Sequence, residues 1–185
     1  MEQLIDDSYD YLENHPEAVE HCESYIEDGY SVNKRMDEGG ETVSSLLSAI
    51  NSVTLSAPIL VYRGLSEMHY VAMLTLAVGD SIPTTHFIST TIVKAIAEQH
   101  SEECVVAIRL EAGTHAFFLN AVNDLPGGGM YGTKRRVELL TEVVDGYEQG
   151  ELDGDTIYAN GEEEILLAPG ILTCVTKGVY SYTPL

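Results

Sequence analysis

Residues 161–170 read Gly-Glu-Glu-Glu-Ile-Leu-Leu-Ala-Pro-Gly, three consecutive acids running straight into an apolar strand. In an extended strand successive side chains alternate faces. Glu162 and Glu164 are therefore expected on one wall, with Glu163, Ile165 and Leu167 on the other. Like charges held so close raise one another's pKa and cost folding free energy. A fold that places such a pair at the mouth of a core strand has few options. Either the acids are a solvated strand entry, or they face a cation, a metal or a reacting centre that turns positive.

The chain leads into that strand through two differently patterned regions. Residues 2–31 carry Tyr9, Leu12, Val19, Tyr25 and Ile26 at roughly helical spacing, interrupted at His15-Pro16, so Pro16 is expected to open a second helix with Asn14 as its cap. Thr42–Ser52, with Val43, Leu46, Leu47 and Ile50, predicts a further amphipathic helix. After Ala57-Pro58 the pattern changes to strands: Ile59–Tyr62, Phe87–Thr91, Cys104–Leu110, Ala116–Leu119, Glu164–Leu167, Leu172–Val175, and Val179–Tyr182 as a last edge. Met68–Ala77 reads as a short helix or a strand, the helix followed by a turn at Gly79-Asp80 being preferred. Ile92–Gln99 and Val137–Tyr147 read as helices, and Gly127-Gly128-Gly129 as a loop within a loop-rich insertion over 120–160. Helices first and short strands afterwards predict an α+β fold with antiparallel or mixed sheets. A length of 185 residues suits one domain, 1–185, with 1–56 a helical lead-in and 57–185 the core.

Charge narrows the function classes. The formal net charge is −21, a field that repels nucleic acid and anionic membranes and attracts basic surfaces. Direct nucleic-acid binding is not expected without a local basic patch. Residues 1–33 hold ten acids and no Lys or Arg, which fits either general solubility in a salty cytoplasm or docking onto a basic protein. Lys134-Arg135-Arg136 is a basic spot within an acidic molecule, read as a solvated helix start or a contact to ligand or target. Cys22, Cys104 and Cys174 are widely spaced, and the last two lie in apolar runs, so a reducing compartment is expected. With no signal-peptide pattern and no run of transmembrane length, the expectation is a cytoplasmic protein that binds no membrane. The six histidines are scattered without ligand spacing, and no metal is expected.

Two further motifs precede the acids. Arg63 closes an apolar strand in Val61-Tyr62-Arg63-Gly64, where a guanidinium is normally avoided. Such an Arg either pairs with a structural carboxylate or grips a phosphate bidentately, with Gly64 permitting close backbone approach. Phe87-Ile88-Ser89-Thr90-Thr91 puts Ser89 and Thr91 on one strand face and Thr90 on the other. Their hydroxyls both donate and accept.

Arg, then Phe-x-Ser-Thr-Thr, then Glu-x-Glu-Ile-Leu-Leu, in that order, resembles the Arg-Ser-Glu class of mono-ADP-ribosyltransferases over about residues 59–178. In format the chain is most similar to the small phage-encoded or bacterial-toxin members, which would place it in a host cytoplasm if phage-encoded. The resemblance implies a split core of two small sheets with N-terminal helices, and NAD as co-substrate in the cleft between them. It implies that Arg63 holds the NAD phosphates, with Gly64 close to the ligand. Ser89 would brace the glutamate and the nicotinamide ribose, with Thr90 and Thr91 supporting the pocket. Glu164 would be the catalytic glutamate on the ribose 2′-hydroxyl, and Glu162 would orient and help deprotonate the acceptor. In the family Glu-x-Glu accompanies arginine acceptors, so the expected partner is a protein target with a basic surface. The recognition loop is placed at about Ile157–Gly161. Thr91 stands where the family commonly has Ser, Ala168-Pro169 only partly matches the usual ending, and the 120–160 insertion is longer than common. Two other readings stay open: the same pocket transferring to nucleic acid or to water, and a non-enzymatic acidic mimic that occupies a basic host surface.

Overall fold

The computed structural model describes residues 1–65, 72, 73, 75–101, 104–125 and 163–185. Half of Met68–Ala77, the glycine run, Lys134-Arg135-Arg136, Val137–Tyr147, Ile157–Gly161 and Glu162 lie outside the described residues.

Among the described residues the α-helices include α1 (Glu2–Asn14), α2 (Glu17–Lys34), α3 (Glu41–Ser52) and α4 (Lys94–Gln99). α1 buries Leu4, Ile5, Ser8 and Leu12 along one stripe, and α3 buries Val43, Leu46, Ala49 and Ile50, the helical period of both sequences realised as packing. Pro16 does precede α2, and its φ of −60° suits a helix start. The expected cap does not form. Asn14 is the last residue of α1, and its Nδ2 donates back to the Asp10 carbonyl at 2.7 Å.

The described residues then form eight strands: β1 (Ile59–Leu65), β2 (Ser81–Pro83), β3 (Ile88–Thr91), β4 (Cys104–Leu110), β5 (Phe117–Phe118), β6 (Glu164–Leu167), β7 (Gly170–Thr176) and β8 (Val179–Pro184). Their spatial order is β2-β7-β8-β4-β1-β3-β6-β5. β1 pairs with β4 along its whole length, from Ile59↔Leu110 to Leu65↔Cys104, yet touches β3 at one register position, Tyr62↔Thr91. The order therefore divides at a seam into a five-strand half ending in β1 and a three-strand half, β3-β6-β5. The α+β class is as expected, while the two small sheets that the resemblance implied are joined at this seam into one eight-stranded sheet.

Two strand expectations are corrected. Val179–Tyr182 is no edge: β8 lies between β7 and β4, antiparallel to the first and parallel to the second. The edge beyond β7 is β2, a three-residue strand ending in Pro83, whose missing N–H is tolerated because none of the described strands lies beyond it. Ala116–Leu119 shortens to Phe117–Phe118 because Leu119 begins a 3-10 turn over Leu119–Asp124.

α1 is bonded into the three-strand half. Ser8, fully buried, donates to the Leu4 carbonyl at 2.7 Å and accepts from the Phe118 N–H at 3.0 Å. Tyr11 meets Phe117 edge to face at 5.8 Å. Among the described residues, no helix is long and apolar enough to cross a membrane.

Candidate functional site

The seam between the two halves is where the motif residues meet. β1 carries Arg63 to it, directly after the fully buried Val61 and the partly buried Tyr62. The guanidinium is half-buried, and its Nη1 donates to the Ser89 carbonyl on β3 at 2.7 Å. Burial pulls its pKa down, while Tyr25 and the Glu164 carboxylate pull it back up. A guanidinium keeps its proton in such surroundings, so Arg63 is a fixed positive charge across the seam.

Gly64 has a packing reason that the sequence did not reveal. A Cβ there would run into the Ala97 and His100 carbonyls at the end of α4, the latter 2.7 Å away. The close approach that glycine permits is thus of strand to helix, and this brings α4 against the site.

In the hydroxyl triplet, Thr90 and Thr91 are engaged by the scaffold. Thr90 Oγ1 donates to the Ile165 carbonyl at 2.8 Å, fastening β3 to β6. Thr91 Oγ1 accepts from the Val93 N–H at 3.2 Å and shapes the turn into α4. Ser89 is held through its own carbonyl by Arg63.

The acidic run departs from simple alternation. β6 begins at Glu164, and Glu163 before it has φ +48°, in the left-handed region. Simple alternation therefore does not run through Glu163 into the strand, because it requires extended backbone there. Both described acids are buried, Glu163 at 3% and Glu164 at 6% exposure. Glu164 sits opposite Thr91 in the β3–β6 register, and its N–H donates to Asn120 Oδ1 at 2.6 Å. Glu162 lies outside the described residues.

Two cavities open at this point. One, of about 250 Å³, lies on the α4 side and is lined by Tyr62, Arg63, Gly64, Ser89, Thr90, Thr91, Ile96, Ala97, His100 and Glu164. The other, of about 580 Å³, lies on the α2 side, between Tyr25, Tyr30, Asn33 and Lys34 on the helix and His86 and Phe87 across from it. Arg63, Ser89 and Glu164 line both. The three residues taken from three separate motifs thus border one bipartite cleft.

The α2 wall was missed by sequence reasoning, which read residues 17–31 as uninterrupted helix. Asp28 breaks it, with φ −150° and ψ 64°, and its Oδ1 accepts from the Ser31 N–H at 3.0 Å. That is an N-cap inside a helix, and the signal was present as Asp28-Gly29 with Ser31 following. The restart turns Tyr30, Asn33 and Lys34 towards the cleft. Gly29 leaves room for the Tyr25 ring, which a Cβ would meet at 3.1 Å. Asn33 joins α2 to β3: its Oδ1 accepts from the Phe87 N–H at 3.0 Å, and its Nδ2 donates to the Tyr25 hydroxyl at 3.2 Å. Tyr25 packs edge to face on Phe87 at 5.8 Å. Burial and then the Glu164 charge push the Tyr25 phenol well above its ordinary pKa, so it stays protonated beside the carboxylate. Among the described residues, no three His, Cys, Asp or Glu side chains gather as a metal site would require.

The split sheet and its N-terminal helices define the fold of the bacterial ADP-ribosyltransferase toxins. The chain superimposes on Plx2a, an ADP-ribosyltransferase toxin from Paenibacillus larvae, with a TM-score of 0.59 at 12% identity, covering 97% of this chain and 92% of that one. C3larvin toxin, an ADP-ribosyltransferase also from Paenibacillus larvae, gives 0.54 at 15% identity, covering 95% and 100%. C3stau2 from S. aureus, solved with NAD, gives 0.52 at 14% identity, covering 89% and 84%. No protein-family model matches the sequence, and no curated protein is similar to it.

Proposed function

We propose that this protein is an NAD-dependent mono-ADP-ribosyltransferase that transfers ADP-ribose to arginine side chains of a protein target and releases nicotinamide. The observation that carries the reading is the convergence of Arg63, Ser89 and Glu164 on one cleft across the seam. The cleft suits a dinucleotide in shape and charge. It has two lobes, and in a chain of net charge −21 it places a fixed guanidinium in the wall they share. A dinucleotide's linking phosphates are the group that a planar fork of donors binds best. Arg63 and Lys34 would hold them, with Gly64 and Ser89 beside the nicotinamide ribose.

The chemistry asked of the chain is modest. Breaking the ribose–nicotinamide bond sends its electron pair to nicotinamide and leaves positive charge developing on the sugar, as in glycoside cleavage. A carboxylate fixed in a low-dielectric wall stabilises that charge as it forms. Preorganised groups of this kind contribute on the order of 10²–10³ in rate. Glu164 is suited to that role, being buried at the strand start and held through its own amide. A bond then forms between the sugar carbon and a guanidinium nitrogen of the target, whose proton must leave. Glu162, two residues earlier, is assigned to orienting that guanidinium and accepting the proton. The acidic surface over residues 1–33 favours a target with a basic face.

The test is incubation with NAD and a cell lysate or candidate proteins, following nicotinamide release and locating the adduct by mass spectrometry. The expected result is ADP-ribose on arginine, lost in Glu164→Gln. Hydrolysis of NAD without transfer is expected for Glu162→Gln. No nicotinamide release with any target would overturn the reading, and adducts on other residues would overturn its acceptor. An effect on a partner that survives Glu164→Gln would favour the non-enzymatic acidic mimic instead.

A further inference from the structure

The Glu164 carboxylate is only as well placed as the backbone that carries it, and a side chain 44 residues away holds that backbone. Asn120 lies in the 3-10 turn after β5, 5% exposed, and its Oδ1 accepts from the Glu164 N–H at 2.6 Å. A backbone N–H can only donate, which fixes the orientation of the Asn120 amide. One residue further, the Ile165 carbonyl accepts from Thr90 Oγ1 at 2.8 Å. Two consecutive residues are thus gripped by side chains from opposite neighbours, immediately after the left-handed turn at Glu163. The 3-10 turn is anchored in its own right, since Phe118 N–H is held by buried Ser8 of α1. A line of bonds therefore runs from α1 through β5 and Asn120 to Glu164.

We propose that Asn120 is the positioning residue of Glu164, fixing where the strand begins and so where the carboxylate points. The proposal rests on the reading of Glu164 as the carboxylate facing the ribose. Its role is distinct from general support of the sheet, because the bond is made to the main chain of the very residue that lines both lobes of the cleft. An oxygen at this position satisfies a buried donor that would otherwise be costly to leave unpaired.

The experiment compares wild type, Asn120→Ala, the isosteric Asn120→Leu and Asn120→Asp, with Glu164→Gln as reference. Steady-state nicotinamide release from NAD is measured together with amide hydrogen exchange at Glu164. Removing the acceptor is expected to lower kcat by about ten- to a hundredfold, the scale of a misplacement near 1 Å, with KM for NAD unchanged. Asn120→Asp, which keeps an oxygen, should retain more kcat than either. Glu164 amide exchange should be slow in wild type and faster in Asn120→Ala and Asn120→Leu, while Leu166 and Ile108 stay protected. If Asn120→Ala does not fold, Asn120→Leu carries the same expectations. Wild-type kcat in both acceptor-free variants, a loss shared equally by kcat and folded fraction, an Asp variant no better than Ala, or fast Glu164 exchange in wild type would each overturn the proposal. Nicotinamide release by Glu164→Gln at the wild-type rate would instead overturn the underlying reading, and the exchange data would still report on the bond.

Discussion

Arg63 on β1 donates to the Ser89 carbonyl on β3 at 2.7 Å, joining two motif residues across the seam of the sheet. One arm of the guanidinium is thereby committed to the scaffold, and its remaining donors are oriented by that bond. Arg63→Lys keeps the charge but loses the planar fork. Both Arg63→Lys and Arg63→Ala should raise KM for NAD by about ten- to a hundredfold, the worth of hydrogen bonds to a charged group. Initial rates over a range of NAD concentrations decide this, and an unchanged KM would remove Arg63 from the ligand.

Gly64→Ala should destabilise the protein by about 1–3 kcal/mol, the usual range for forcing an extra carbon into packed surroundings. The obstacle is main chain, the Ala97 and His100 carbonyls, so no side-chain rotation relieves it. Urea unfolding monitored by circular dichroism would show the midpoint fall, and an unaltered midpoint would mean that α4 shifts freely.

Asn33→Ala deletes the bonds that tie α2 to Phe87 and Tyr25 and leaves the Phe87 N–H without its acceptor. A loss of about 1–3 kcal/mol is expected for a buried donor left unpaired. The restart after Asp28 should become the first point of cleavage under limited proteolysis. Cleavage elsewhere, at wild-type rates, would contradict this.

The arrangement of Arg63, Ser89 and Glu164 was readable in the sequence because each sits on a strand whose apolar neighbours announce it. Their order along the chain carried the rest. What escaped depends on partners far away in sequence. Asn33 finds Phe87 across 54 residues, and Asn120 finds Glu164 across 44. No local pattern marks an asparagine as the acceptor for a distant amide. The same reason hid β2, whose three residues become a strand only because β7 offers an open edge. The placement of β8 is likewise decided by β4, not by its own composition. The kink at Asp28 was legible in principle, since Asp-Gly with Ser three residues after the Asp is a capping pattern, but the apolar period ran through it.

Alkaline pH should weaken the fold through buried groups, Cys22 and Tyr182 among them. Burial pushes the Cys22 thiol up from 9.0 to about 12 and the Tyr182 phenol up from 10.0 to about 12. The folded state therefore retains protons that the unfolded chain releases, and stability falls as pH rises between those limits. The Cys22 thiol removes up to about 1.4 kcal/mol per pH unit within its window, and the Tyr182 phenol, nearer solvent, less. Thermal melts from pH 7 to 11 should show Tm declining from about pH 9, and Cys22→Ala should delay the onset towards the tyrosine window. A Tm that is flat to pH 11 would contradict the assignment.

The single rung Tyr62↔Thr91 has a consequence for how the molecule fails. Arg63 belongs to one half of the sheet, while Ser89 and Glu164 belong to the other. A small shear along the seam would disperse the constellation while each half kept its own ladder and core. Under gentle heating or low denaturant, ligand capture should vanish before backbone order does, so that the protein goes silent well ahead of melting.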